Sequence, residues 1–173
     1  FLRNDVLRYG GRIEQTLWKS RIKVIGRYRY ELDNLIQHKR TASTMHFYGG
    51  GFSFNQKKLP SFKVDYNGNM RSNVFGEQMM HSVNFNIGYS YKIARINLRS
   101  TANYQFVISD ADSISFSDYT LHNVMLVQSV SFKVPVTVLA TIGYNQMTNT
   151  AQTNRQVQFG AGVMSTPFKN FSA

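Results

Sequence analysis

Residues 78–106, QMMHSVNFNIGYSYKIARINLRSTANYQF, decide the fold class. Met79, His81, Val83, Phe85, Ile87, Tyr89 and Tyr91 occupy alternate positions, with Met80, Ser82, Asn84, Asn86, Gly88 and Ser90 between them. Lys92-Ile93-Ala94 interrupts the pattern. It then resumes as Ile96, Leu98, Ser100, Ala102, Tyr104 and Phe106 against Arg95, Asn97, Arg99, Thr101, Asn103 and Gln105. Successive side chains of a strand point to opposite faces, whereas a helix repeats every 3.6 residues. Such long alternation around a short reversal predicts an antiparallel hairpin, one face apolar and the other built of Asn, Ser, Thr and Arg.

Period two extends outward from this hairpin. It is regular over 7–17, 22–32, 136–146 and 156–164 and looser over 44–54, 61–67 and 119–132. Gly49-Gly50-Gly51 marks a weakened strand, a bulge or a bend, and Gln128 breaks the apolar face of Val124, Leu126, Val130 and Phe132. With a further strand beginning after Lys169, the segment holds about ten strands. Most are longer than the roughly 5–6 residues of an ordinary globular strand and close to the roughly 9–11 needed to cross a bilayer obliquely.

The connections complete the expectation. Short basic ones fall at Trp18-Lys19-Ser20-Arg21, 55–60, 92–94, Lys133-Val134-Pro135 and Thr166-Pro167-Phe168-Lys169. Polar stretches near 33–43, 67–77, 107–118 and 147–155 read as longer loops. The predicted fold is all-β: an up-and-down antiparallel transmembrane β-barrel, or part of one, with short periplasmic turns, longer extracellular loops and a single domain over 1–173.

Composition narrows the function classes. The 173 residues are 42% hydrophobic, 14% aromatic and only 17% charged, with 20 Lys+Arg against 9 Asp+Glu. A net charge of +11 favours anionic partners. The absence of cysteine excludes thiolate metal sites, thiol nucleophiles and disulfides. No apolar run is long enough for a transmembrane helix. The chain starts without Met, and we expect a mature chain or a fragment.

Alternation does not say which face meets lipid. Three features assign the apolar face: the opposite face is rich in amides, hydroxyls and glycine; the apolar faces lack central charges; and aromatics such as Tyr28, Tyr30, Phe52, Phe54, Tyr89, Tyr91, Tyr104, Phe106, Phe132 and Tyr144 gather near strand ends, where interfacial girdles form. Val83, Phe85, Ile87, Ile96, Leu98, Val136, Val138, Ile142, Val157 and Phe159 are accordingly the lipid-facing set. The run Tyr89–Leu98 and the turns at Lys133-Val134-Pro135 and Thr166-Pro167-Phe168-Lys169 resemble periplasmic turns of bacterial outer-membrane β-barrels, and the Asn- and Tyr-rich character is similar to barrels of the Bacteroidota. The resemblance implies a bacterial outer-membrane location, a lipid and lipopolysaccharide surround, and other outer-membrane or periplasmic subunits as partners. Such barrels commonly end on an aromatic strand residue. This chain reads Asn170-Phe171-Ser172-Ala173 after its last turn, which predicts either a segment of a larger barrel or a final strand that is not represented.

The polar face carries Arg8, Arg12, Lys23, Arg27, Arg29, Arg95 and Arg99, with Glu14 and Glu31 as candidate partners. This reads either as an anion-attracting lumen wall or as a cross-strand ion-pair network. The turn cations Lys19, Arg21, Lys57, Lys58, Lys92, Lys133 and Lys169 read as headgroup or partner contacts, or as plain solvated charge. Asp110, Asp112 and Asp118 form only a fragment of a calcium-loop pattern. His38, His46, His81 and His122 lack ligand spacing and a locally placed acid. We therefore expect no catalytic residue, no metal site, no cofactor and no nucleic-acid partner. The function expected is that of a channel, anchor or subunit of a membrane transport or secretion complex. The alternative is a soluble, lipocalin-like barrel with the apolar face inside.

Overall fold

The computed structural model describes residues 6–33, 43–73, 76–113, 118–132 and 136–165. They form nine strands: β1 (Val6–Leu17), β2 (Ile22–Asp33), β3 (Ser43–Phe54), β4 (Ser61–Asn73), β5 (Gly76–Ile93), β6 (Ile96–Ser113), β7 (Tyr119–Ser131), β8 (Val136–Asn149) and β9 (Thr153–Ser165). Each pairs antiparallel with its sequence neighbours in one sheet of order β1 to β9. The up-and-down all-β expectation holds, and the sheet is open. The tenth strand and the turns at Pro135 and Pro167 fall outside the described residues, as do His38, Lys133, Lys169 and residues 34–42.

Three of the four expected long loops, 67–77, 107–118 and 147–155, are largely strand; the fourth, near 33–43, falls almost wholly outside the described residues. β4 continues to Asn73 and β5 starts at Gly76, so 67–77 is almost wholly strand. β6 extends to Ser113, and β8 and β9 leave only 150–152 between them. An Asn-rich composition reads as loop, but backbone N–H and C=O groups need partners whatever the side chains are. The ladder therefore runs on through Asn67, Asn69, Arg71 and Asn73, which pair with Ser82, Met80, Gln78 and Gly76.

Gly49-Gly50-Gly51 is a second correction: it carries neither bulge nor bend. The three glycines stay in register with Arg27, Gly26 and Ile25 on one side and Asn67, Tyr66 and Asp65 on the other. They are needed for space. A Cβ on Gly49 would lie 2.5 Å from the Tyr66 carbonyl oxygen, and one on Gly51 2.8 Å from Asp65 Oδ1.

Uniform register keeps every alternating set on one face. Val83 faces Phe106, Phe85 faces Tyr104, Leu126 faces Ile142, and Ile142 faces Phe159. A single layer has nothing to pack this face against. Val107 is the sole buried hydrophobic residue among those described, while Ile13 and Phe159 are each 78% exposed. The accessible surface is 13068 Å², against about 8,700 Å² for a folded soluble monomer of this mass.

Nine antiparallel strands leave β1 and β9 at the edges, running in the same direction. Among the described residues, neither has a strand partner along its outer side.

Candidate functional site

The polar face divides into two sectors. On β1 and β2, Glu31 accepts from Arg8 Nε at 3.0 Å and from Arg29 Nε at 3.1 Å. Glu14 holds Arg12 at 2.6 Å and Lys23 Nζ at 2.5 Å. Arg27 donates to Asn67 Oδ1, two strands away. Gly49 lies between Arg27 and Asn67 in the register, and its missing side chain opens that path. Arg29 also stacks over Phe47, 4.2 Å from the ring centre. Each of Arg8, Arg12, Lys23, Arg27 and Arg29 thus engages an acid or an amide. Glu14, Glu31 and Asp33 leave these five cations in excess.

The other two members of the expected cluster lie elsewhere. Arg95 is not a strand residue: Ala94 and Arg95 form the turn between Ile93 and Ile96, with Ala94 in the left-handed region at φ 51°. Tight hairpins select such positive φ values because they match the twist of the flanking strands. Arg99 stays on the polar face but sits on β6, opposite Ser90 and Ser129.

From β5 to β9 the polar face is nearly uncharged. Its strand cations are Lys92 and Arg99, both near the Ala94-Arg95 turn. Asn84, Gln105, Asn123, Asn145 and Gln156 stand directly opposite one another on five successive strands, and Asp65 of β4 extends the row. A hollow of about 420 Å³ opens over it, lined by Asn84, Asn86, Asn103, Gln105 and Asn123, with Lys63 and Asp65 on one flank and Met125 on the other. Lys63 Nζ is 2.5 Å from Asp65 Oδ2, and Asn86 donates to Asn103.

The apolar face carries all ten residues expected to face lipid, and all but Val136, which pairs with Ser165, are aligned by register with one another or with other apolar neighbours. Its described carboxylates and strong bases are Glu77, Asp110, Asp112 and Arg155, all near the strand ends away from the Ala94-Arg95 turn. At the opposite ends Trp18 stacks on Phe54, and Arg21 lies over the Trp18 ring at 5.1 Å.

Sequence reasoning missed a recurring pair on this face. Tyr28 and His46 Nδ1, Tyr66 and His81 Nδ1, and Tyr104 and His122 Nδ1 share hydrogen bonds of 2.9, 2.6 and 2.9 Å. Each couple spans adjacent strands, from β2 to β3, β4 to β5 and β6 to β7. Testing the histidines only against metal and acid partners hid this. The available signal was Tyr and His on the same face of adjacent strands, one step apart diagonally. Gln128, expected to spoil the face, accepts from the Ser100 hydroxyl at 2.5 Å. Asp118 Oδ1 accepts from the Ala111 N–H at 2.7 Å, and no metal-binding group of three or more residues gathers among the described residues.

No family model matches the chain, and no curated protein or solved structure matches it.

Proposed function

We propose that the sheet is a transmembrane wall of a bacterial outer-membrane β-barrel and serves as part of a channel, anchor or subunit of a membrane transport or secretion complex. One observation carries this reading: an apolar face nine strands wide, free of central charge and left exposed, backed by a face of amides, hydroxyls and ion pairs. Soluble proteins rarely expose apolar patches beyond a few hundred Å². Hydrocarbon is the solvent that such a face matches. A soluble calyx would turn it inward and cover it. In this open sheet Leu126 and Ile142, in the middle of β7 and β8, are 49% and 52% exposed.

In this reading the Tyr–His couples lie at a headgroup boundary, where a ring can stay in hydrocarbon while its polar atoms reach water. From His46 to Phe54 along β3 is about 27 Å of strand, enough to cross most of an oblique hydrocarbon path. The polar face is the wetted wall. Its β1–β2 network stiffens the sheet and keeps an excess of positive charge.

Unpaired edges do not survive in hydrocarbon, where each unsatisfied backbone group costs several kcal/mol. Because β1 and β9 run the same way, antiparallel closure takes an odd number of further strands between them. The wall is therefore read as part of a larger barrel. The test is heat-modifiable gel migration and co-flotation with phospholipid vesicles, after detergent extraction, of the complete barrel that carries this wall. A complete protein that stays monodisperse in buffer without detergent and does not float with vesicles would refute the reading.

A further inference from the structure

The amide-lined hollow on β4–β7 has a chemistry that the ion-pair sector lacks. Asn84, Gln105 and Asn123 are half-buried in adjacent strands and make no side-chain bond to protein among the described residues. Each carboxamide offers two donors and a two-lone-pair acceptor. A carboxylate only accepts and an ammonium only donates, so neither satisfies a hydroxyl in both of its roles. Adjacent strands are spaced by about 4.8 Å, so successive amides repeat at nearly the length of one sugar ring.

The surroundings select against charge. Asp65 is already held by Lys63 at 2.5 Å, which leaves little for a cation. The nearest strand cation on the β5–β7 polar face, Arg99, lies toward the turn, four residues before Asn103. The cation lining the hollow, Lys63, is already paired with Asp65, so an anionic solute would have to compete for it. The volume of about 420 Å³ falls within the range of small-molecule sites.

We propose that this hollow is a carbohydrate subsite that holds a neutral, polyhydroxylated solute on the carboxamides of Asn84, Gln105 and Asn123. The inference rests on the polar face being the wetted wall, and it names the class of solute that the wall meets.

The test uses the complete barrel in a detergent without a sugar headgroup, since a maltoside would compete. Maltotriose, a trigalacturonate of equal length and a neutral tripeptide are titrated while the side-chain NH₂ resonances of ¹⁵N-labelled Asn and Gln are followed. Expected are saturable shifts with maltotriose at Asn84, Gln105 and Asn123, little change at Asn154 near the far end of β9, and binding of the acidic and peptide probes at least tenfold weaker. The double variant Asn84→Leu/Gln105→Leu, close in volume, should weaken maltotriose about tenfold or more, as expected for two or more lost hydrogen bonds. Trigalacturonate or the tripeptide binding as tightly as maltotriose overturns the proposal, as do shifts spread evenly over all amides. Should the double variant not fold, the resonance map of the unaltered chain still decides. Vesicle flotation is scored on the same preparation: a chain that floats but ignores maltotriose loses only the subsite, and one that binds maltotriose without floating loses only the membrane reading.

Discussion

Ile142→Arg is the perturbation that most directly weighs lipid against water on the apolar face. Ile142 sits near the middle of β8, between Val136 and Asn149, and its register partners are Leu126 and Phe159. Six residues from Val136 correspond to about 20 Å along the strand. A tilt of about 40° reduces this to about 15 Å along the membrane normal, half of a hydrocarbon core of about 30 Å. Ile142 is thus placed at the midplane, where an arginine facing lipid costs about 2–4 kcal/mol. That corresponds to about 30- to 700-fold in the folding equilibrium. The neighbouring Thr141→Arg places the same charge on the polar face and should change stability by no more than about 0.5 kcal/mol. Urea titration of the complete barrel in phospholipid vesicles, read by its heat-modifiable migration, gives both numbers. Equal shifts for the two variants, or no shift for Ile142→Arg, would refute the assignment of the apolar face to lipid.

Gly68→Val should lower stability by about 1–3 kcal/mol, because any side chain there enters the ring of Tyr48; adding Tyr48→Ala should restore part of the loss in a detergent melt. Glu31→Gln removes the negative charge shared by Arg8 and Arg29, yet both arginines are more than half exposed, so a urea midpoint should report a cost below about 1 kcal/mol. With no native cysteine to interfere, Val130→Cys/Val138→Cys should oxidise to a β7–β8 crosslink, while Ile13→Cys/Phe159→Cys should not link β1 to β9; a rapid second crosslink on a non-reducing gel would show that the sheet closes on itself. Tyr66→Phe deletes the hydroxyl bound to His81 and should cost about 1 kcal/mol in the same vesicle titration.

Alternation in 78–106 was enough to read β5, β6 and the hairpin between them, because burial on a pleated sheet is written directly as period two. The same rule recovered β1, β2, β8 and β9 to within a few residues. It failed at strand ends. Asn67 to Asn73 look like loop in composition but belong to β4, since backbone pairing does not depend on side-chain polarity. It also failed at Gly49-Gly50-Gly51, where propensity suggested disruption and the neighbours required close approach.

The candidate site was legible in kind but not in arrangement. Arg8, Arg12, Lys23, Arg27 and Arg29 could be placed on one face, yet their sharing of Glu14 and Glu31 depends on which residue of β1 lies across from which residue of β2. Arg99 fell out of the group because it lies several strands away, and Arg95 because it is part of a turn. The Tyr–His couples and the row from Asn84 to Gln156 needed register as well.

The sequence by itself determined the all-β class, the antiparallel meander and the division into an apolar and a polar face, because each follows from local spacing along one strand. Only the tertiary structure decided which side chains meet, how far the strands extend, and that the sheet stays open with β1 and β9 pointing the same way. Those properties belong to pairs of strands, and a one-residue change of register would move every partner to the opposite face.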